Sequence, residues 1–159
     1  MAFKTADLSD ETEGVAQIVQ PGLVNFGGKT RFHGRIVTVK TFEDNSRVRE
    51  RVRSPGAGRV LVIDNQGSMR CAMLGDLLAA AAIENNWNGV VINGCIRDSA
   101  EIAQMDIGVK ALATNPLRSV KRDQGDVDVE VEFLGATFRP GEYLYSDEDG
   151  ILLSSKPLL

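Results

Sequence analysis

Gly75-Asp76-Leu77-Leu78-Ala79-Ala80-Ala81-Ala82 opens a segment that ends in Gly89-Val90-Val91-Ile92-Asn93-Gly94-Cys95-Ile96-Arg97-Asp98. Its first part predicts a helix from Asp76 to about Trp87, rich in small side chains that allow close approach to a sheet or another subunit. Gly89 ends that helix, and Gly89-Val90-Val91-Ile92 predicts a buried strand. A strand that follows a helix tends to pack beside it. The loop at Gly75-Asp76 and the loop at Arg97-Asp98 are therefore expected at one end of a sheet. Together they would gather unpaired backbone N–H groups, a guanidinium and two carboxylates, a set suited to a small oxyacid and a divalent cation.

The flanking sequence extends this pattern. Upstream, Arg59-Val60-Leu61-Val62-Ile63-Asp64 is continuously apolar and predicts a central strand covered on both faces, followed by a turn at Asn65-Gln66-Gly67-Ser68. Glu43 to Arg53 predicts a helix stopped by Pro55-Gly56, and Arg35 to Thr41 a strand of β-branched residues. Phe26-Gly27-Gly28-Lys29 reads as a loop, and Thr5 to Asp10 as a short helix. Downstream come a short helix from Ser99 to Met105 and a strand from Val109 to Thr114. Val127 to Phe133 alternates strictly, as one strand with a wet face does, and further short β segments follow to Leu153. The expected class is α/β: one domain over residues 1–159, with a central buried sheet, flanking helices and a β-rich C-terminal part.

Composition narrows the function classes. The 159 residues are 43% hydrophobic and 25% charged, as in ordinary globular proteins. A net charge of -4 and a pI near 5.1 argue against a general nucleic-acid surface. The basic run Arg47, Arg49, Arg51, Arg53, with Glu50 interleaved, reads as a solvated helix face. No signal peptide or membrane-length apolar run is present, so the chain is expected in the cytoplasm with Cys71 and Cys95 as buried free thiols.

Two loops carry the candidate chemistry. The leading N–H groups of a helix lack intrahelical partners and favour a carboxylate or phosphate, and Gly75 lets the backbone approach a ligand. The competing reading of Asp76 is a plain helix cap. Arg97 could hold a carboxylate through two parallel hydrogen bonds, and Asp98 could bind Mg²⁺ or Mn²⁺ with waters completing the sphere. Asp98 with Glu101 also fits a capping box on the next helix. Gly27-Gly28-Lys29-Thr30 only imitates a phosphate loop, because the required first glycine would fall at Leu23. His33, the sole histidine, reads as a loop or packing residue.

These residues resemble the RraA family, the regulators of ribonuclease activity A. The resemblance runs through Asn25-Phe26-Gly27-Gly28, Thr41-Phe42-Glu43-Asp44-Asn45, Gly58-Arg59-Val60-Leu61-Val62, Asn86 to Ile92, Asp106-Ile107-Gly108-Val109 and Gly150 to Ser154. The metal-dependent branch, the 4-hydroxy-4-methyl-2-oxoglutarate aldolases, is marked by an Asp, twenty residues, Arg-Asp, and an acidic residue three positions on. Here these are Asp76, residues 77–96, Arg97-Asp98 and Glu101. The resemblance implies a swivelling β/β/α fold like the phosphohistidine domains, assembled as a homotrimer with sites at subunit contacts. It also implies that the backbone of Gly75, Asp76, Leu77 and Leu78 lines the substrate site, that Arg97 binds the substrate carboxylate and that Asp98 binds the metal. The longer aldolases add an acidic residue from a C-terminal extension of the neighbouring subunit; with Pro157-Leu158-Leu159 as its last residues, this sequence is expected to do without it.

The expected reaction is cleavage of a small 2-oxo acid to pyruvate enolate, with oxaloacetate decarboxylation as a second activity. A water or hydroxide positioned by Asp76 or Glu101 would take the proton of the 4-hydroxyl. No lysine Schiff base is needed, and Lys110 carries no context for one. The rival class is a protein-binding inhibitor of ribonuclease E, acting without chemistry. A quinone-biosynthesis methyltransferase finds no glycine-rich S-adenosylmethionine loop to support it.

Overall fold

In the computed structural model, which describes residues 2–159, parallel strands form the centre and antiparallel strands the wings. The N-terminal third contains α1 (Thr5–Glu11), β1 (Gln17–Ile18), β2 (Val24–Asn25), β3 (Phe32–Lys40) and α2 (Ser46–Val52). The middle contains β4 (Val60–Asp64), β5 (Ala72–Leu74), α3 (Asp76–Glu84), β6 (Gly89–Ile96), α4 (Ser99–Ile102) and β7 (Gly108–Thr114). The chain closes with β8 (Asp126–Val127), β9 (Val131–Phe133), β10 (Ala136–Phe138), β11 (Tyr143–Asp147) and β12 (Gly150–Ser154).

The sheet runs β1-β12-β11-β3-β4-β6-β7-β2, with β5 added to β6 and β8 to β3. The pairs β3–β4, β4–β6, β5–β6 and β6–β7 are parallel, and the outer pairs are antiparallel. Parallel strands covered on both faces favour near-continuous apolar runs, and β4 and β6 are buried throughout, their polar residues Asp64 and Asn93 bonding each other at 2.9 Å. In β4, Leu61 and Ile63 face a core shared with Val48, Val52, Ala79, Ala82 and Ile102 of the helices. Val60 and Val62 face the opposite core, closed by Val131 and Phe133 of β9 and Ala136 and Phe138 of β10. Helices on one side and a β-hairpin on the other produce the expected β/β/α layering.

Several elements differ from the sequence expectation: β1 and β2 are additional short strands, β3 starts earlier, at Phe32, and α3 and α4 stop short, at Glu84 and Ile102. The alternating run 127–133 is two strands, because Asp128 takes a left-handed conformation (φ 57°) and the chain changes partner from β3 to β10. Helix α2 starts at Ser46 rather than Glu43, since Glu43 (φ 59°) and Asp44 form the turn that precedes it. Strand β5 was not expected at all. It is three buried residues long, too short for a period-2 signal, yet it delivers the chain to Gly75.

Candidate active site

Strand β5 ends at Leu74, and Gly75 is the N-cap of α3, so Asp76 is the first helical residue and not its cap. Beside it, β6 runs four residues past Ile92 before releasing Arg97. The two loops meet as their placement at one sheet end requires. The Arg97 amide donates to the Leu74 carbonyl at 2.9 Å. Asp98 precedes α4, but with φ 56° and ψ 41° its side chain makes no capping bond to that helix. An N-cap ordinarily has extended dihedrals, which aim its oxygen at the helix amides. The left-handed Asp98 turns away, and the expected capping box with Glu101 is not formed. Instead Asp98 Oδ2 accepts the Asp76 amide at 3.0 Å.

The contacts are close enough to require glycine at position 75. A Cβ there would lie 2.8 Å from Asp98 Oδ2 and 3.4 Å from Arg97 Nε. The resulting cavity, of about 290 Å³, is lined by Gly75, Asp76, Leu77, Leu78, Arg97 and Asp98, together with Asn45, Ala72, Leu74 and Ser119. Arg49, Arg53, Arg118 and Lys121 complete it. Five cations therefore face two carboxylates. The Arg97 guanidinium has no hydrogen-bond or ion-pair partner among the described residues. Of the helix amides, that of Asp76 is taken by Asp98, while those of Leu77 and Leu78 find no acceptor among the described residues. The helix end thus offers fewer open amides than the four expected from helix geometry alone.

Glu101 is exposed on α4 and is absent from the cavity lining. Among the described residues no group of three or more His, Cys, Asp and Glu could enclose a metal. That excludes a closed zinc-type cage among them. Asp98 alone fits a hard cation that keeps most of its waters, since Mg²⁺ commonly binds through one or two carboxylates plus substrate oxygens. One Asp98 oxygen is engaged by the Asp76 amide, and the other has no partner among the described residues.

The surroundings settle the other candidates. His33 stacks on Tyr145 (5.8 Å between centroids, 11° between planes) and meets the Phe3 ring edge-on, and burial pushes its pKa down. It is a packing residue. Lys110 is buried and donates to the Asp147 carbonyl at 2.7 Å, outside this cavity. Burial raises both free thiols, Cys71 and Cys95. Sequence reasoning missed the part played by Asp44. Burial works to raise its carboxyl, but bonds from the Ser46 hydroxyl and amide and from the Arg122 and Gln124 amides outweigh it and hold it below the usual carboxylate range. Those bonds hold residues 122–124, next to Lys121, against α2.

A model of the RraA-like family, described as Aldolase/RraA, matches residues 5–153. The chain belongs to the RraA-like family. A relative from Laribacter hongkongensis (strain HLHK9), provisionally named 4-hydroxy-4-methyl-2-oxoglutarate aldolase, is 57% identical over 159 residues, the match covering 100% of both chains. The RNA-processing inhibitor RraA from Thermus thermophilis is 43% identical and superposes with a TM-score of 0.96, covering 100% of this chain and 96% of that one. An S-adenosylmethionine:2-dimethylmenaquinone methyltransferase from Geobacillus kaustophilus HTA426 is 47% identical with a TM-score of 0.94, covering 98% and 97%. The RraA-like fold expected from sequence is thus the observed one. Among the described residues no helix is long and apolar enough to cross a membrane.

Proposed function

We propose that this RraA-like chain is a divalent-metal-dependent carbon–carbon lyase that cleaves 4-hydroxy-4-methyl-2-oxoglutarate into two molecules of pyruvate. The observation that carries the reading is the unpaired Arg97 guanidinium beside Asp98 and the open start of α3, all in one cavity. Arg97 binds the carboxylate next to the keto group through its planar fork, and the Leu77 and Leu78 amides add neutral donors to the same anion. Asp98 would hold Mg²⁺ or Mn²⁺. When bound, that cation supplies Lewis-acid stabilisation of the charge developing on the former keto oxygen. Asp76 orients the water that takes the 4-hydroxyl proton. Asp76 is preferred to Glu101 because only Asp76 lines the cavity.

Loss of CO₂ from oxaloacetate develops charge on the same oxygen, so decarboxylation follows as a second activity. The names of relatives such as the Laribacter protein support the aldolase reading. Self-association, as a homotrimer, is supported by apolar surface beside the cavity: Leu77 is 81% exposed, and Phe42, Leu117 and Val120 are more than half exposed. The same surface and the likeness to the Thermus inhibitor support the second reading, contact regulation of ribonuclease E without chemistry.

Pyruvate release from 4-hydroxy-4-methyl-2-oxoglutarate, measured with Mg²⁺, after EDTA, and after Mg²⁺ is restored, tests the proposal. Turnover that EDTA abolishes and Mg²⁺ restores is expected. Absent or EDTA-insensitive turnover would sink it, and micromolar binding to ribonuclease E without turnover would favour the inhibitor.

A further inference from the structure

A largely apolar cavity at the other end of the sheet has no part in the lyase reading. Residues 57–59 lead into β4 at Val60, which pairs with Gly89 at the start of β6, whereas Arg97 leaves β6 at its far end. The cavity measures about 260 Å³ and shares no residue with the Arg97 site. One wall is a cross-strand ladder: Tyr143 and Tyr145 of β11 stand directly opposite Arg35 and His33 of β3. Residues two apart on a strand point to one face, so both pairs look the same way. The Arg35 guanidinium lies 5.4 Å from the Tyr143 ring centroid, and the Tyr145 ring stacks on His33. The parallel register that pairs Ile36 with Val60 sets Arg35 beside Arg59, whose guanidinium packs over Trp87 at 5.3 Å. Ala57, Pro157 and Leu159 complete the apolar lining.

The charge on this lining has one sign. No carboxylate lines the cavity. Arg35 donates through Nε to the Gly141 carbonyl, and Arg59 donates through Nε and Nη2 to the Gly56 and Pro55 carbonyls. Neither guanidinium has an ion-pair partner among the described residues. The cavity thus offers rings and aliphatic carbon to the body of a ligand, two guanidiniums to an anionic head, and no acid to a cation. Its volume falls short of the roughly 300 Å³ at which pockets for drug-sized ligands begin, so one ring fits and a nucleotide does not. We propose that this cavity binds a single-ring aromatic carboxylate, with the ring packed against Tyr143 and Pro157 and the carboxylate held by Arg35 and Arg59. A flat ring is preferred to a puckered one because aromatic pairs gain more than their buried area alone supplies. The site is independent of the lyase reading and stands or falls without it.

The probe is benzoate, titrated into the parent by calorimetry and followed in amide NMR spectra. A Kd below about 1 mM is expected. The largest amide shifts should fall at Gly34, Arg35, Gly58 and Arg59, not at Leu77 and Leu78. Benzamide keeps the ring without the charge, and cyclohexanecarboxylate keeps the charge without the flat ring, so both should bind more weakly than benzoate. Arg35→Gln and Arg59→Gln should each weaken benzoate roughly 10-fold, the value of one charge-assisted hydrogen bond, with circular dichroism unchanged. Tyr143→Leu should remove the preference for benzoate over cyclohexanecarboxylate. Arg97→Lys, at the opposite end of the sheet, should leave the benzoate Kd at the parent value. A loss of affinity there would place the carboxylate in the Arg97 cavity and overturn the proposal. Absent binding in the parent, shifts confined to the start of α3, or a benzoate affinity no higher than that of either other probe would overturn it as well. Should an arginine variant fail to fold, the parent's shift map and probe ranking still decide.

Discussion

Asp98 Oδ2 accepts the amide of Asp76 at 3.0 Å, across two loops separated by a helix and a strand. The bond occupies one Asp98 oxygen and one of the leading amides of α3. Two substitutions separate these roles. Asp98→Asn keeps an oxygen acceptor, so its melting temperature should stay near the parent's. Asp98→Ala should lose about 1 kcal/mol, the usual net value of such a bond. Both should lose metal-dependent pyruvate release by roughly 100-fold or more, since Lewis-acid stabilisation contributes several kcal/mol. Parent-like turnover in either variant would remove Asp98 from the metal site.

Gly75 is a steric choice, not a conformational one. Its backbone (φ -122°, ψ -171°) is open to any residue, but an added Cβ would meet Asp98 Oδ2 at 2.8 Å. In Gly75→Ala the carboxylate must move, stretching its bond to the Asp76 amide. A stability loss of about 1 kcal/mol and a several-fold rise in the Mg²⁺ concentration for half-maximal activity are expected. Titration of activity against Mg²⁺ reads the second effect, and an unchanged midpoint would show that Asp98 is not positioned through this contact.

Arg97→Lys retains the charge but loses the fork that matches a carboxylate. The transition state should lose about 2–4 kcal/mol, seen as a fall in kcat/KM on both the glutarate-type substrate and oxaloacetate. Since both substrates place the same carboxylate at Arg97, a loss confined to one of them would contradict the clamp.

The middle of the fold was legible because β4 runs apolar from Val60 to Ile63 and β6 from Gly89 to Ile92, a pattern that parallel strands covered on both faces favour. The meeting of Gly75 with Arg97 and Asp98 was legible for the same reason, since sheet order brings the two loops together. The failures were local. Asp-Ser-Ala-Glu at 98–101 satisfies a capping pattern, but the left-handed backbone at Asp98 redirects the carboxylate, and spacing carries no sign of φ. The arginine run of α2 looked uniform, but Arg47 and Arg51 pair with Asp123 and Asp128, and alternation along a sequence does not reveal which side of a short helix faces them. Asp44 was invisible as an anchor, since the amides it binds lie 78 and 80 residues away.

That anchor gives a pH prediction. Asp44 is 2% exposed and accepts bonds from the Ser46 hydroxyl (2.6 Å) and amide (2.8 Å) and from the Arg122 (2.7 Å) and Gln124 (3.2 Å) amides. These bonds outweigh the cost of burial and leave its folded pKa below the unfolded value of about 3.9. A depressed carboxylate contributes stability that is complete above the unfolded pKa and is lost as pH falls through the folded one. The parent should therefore weaken in acid from near pH 4 downward, with this residue adding up to about 1.4 kcal/mol per pH unit between the two values. Asp44→Asn removes that contribution and turns an NH₂ toward backbone donors. It should cost about 2–4 kcal/mol at pH 7 and show a shallower acid slope. The same change frees the segment next to Lys121, so KM should rise more than kcat falls. Urea unfolding at pH 7, 4 and 3 checks the slope. Parallel curves for parent and variant across that range would mean that Asp44 does not govern the acid response.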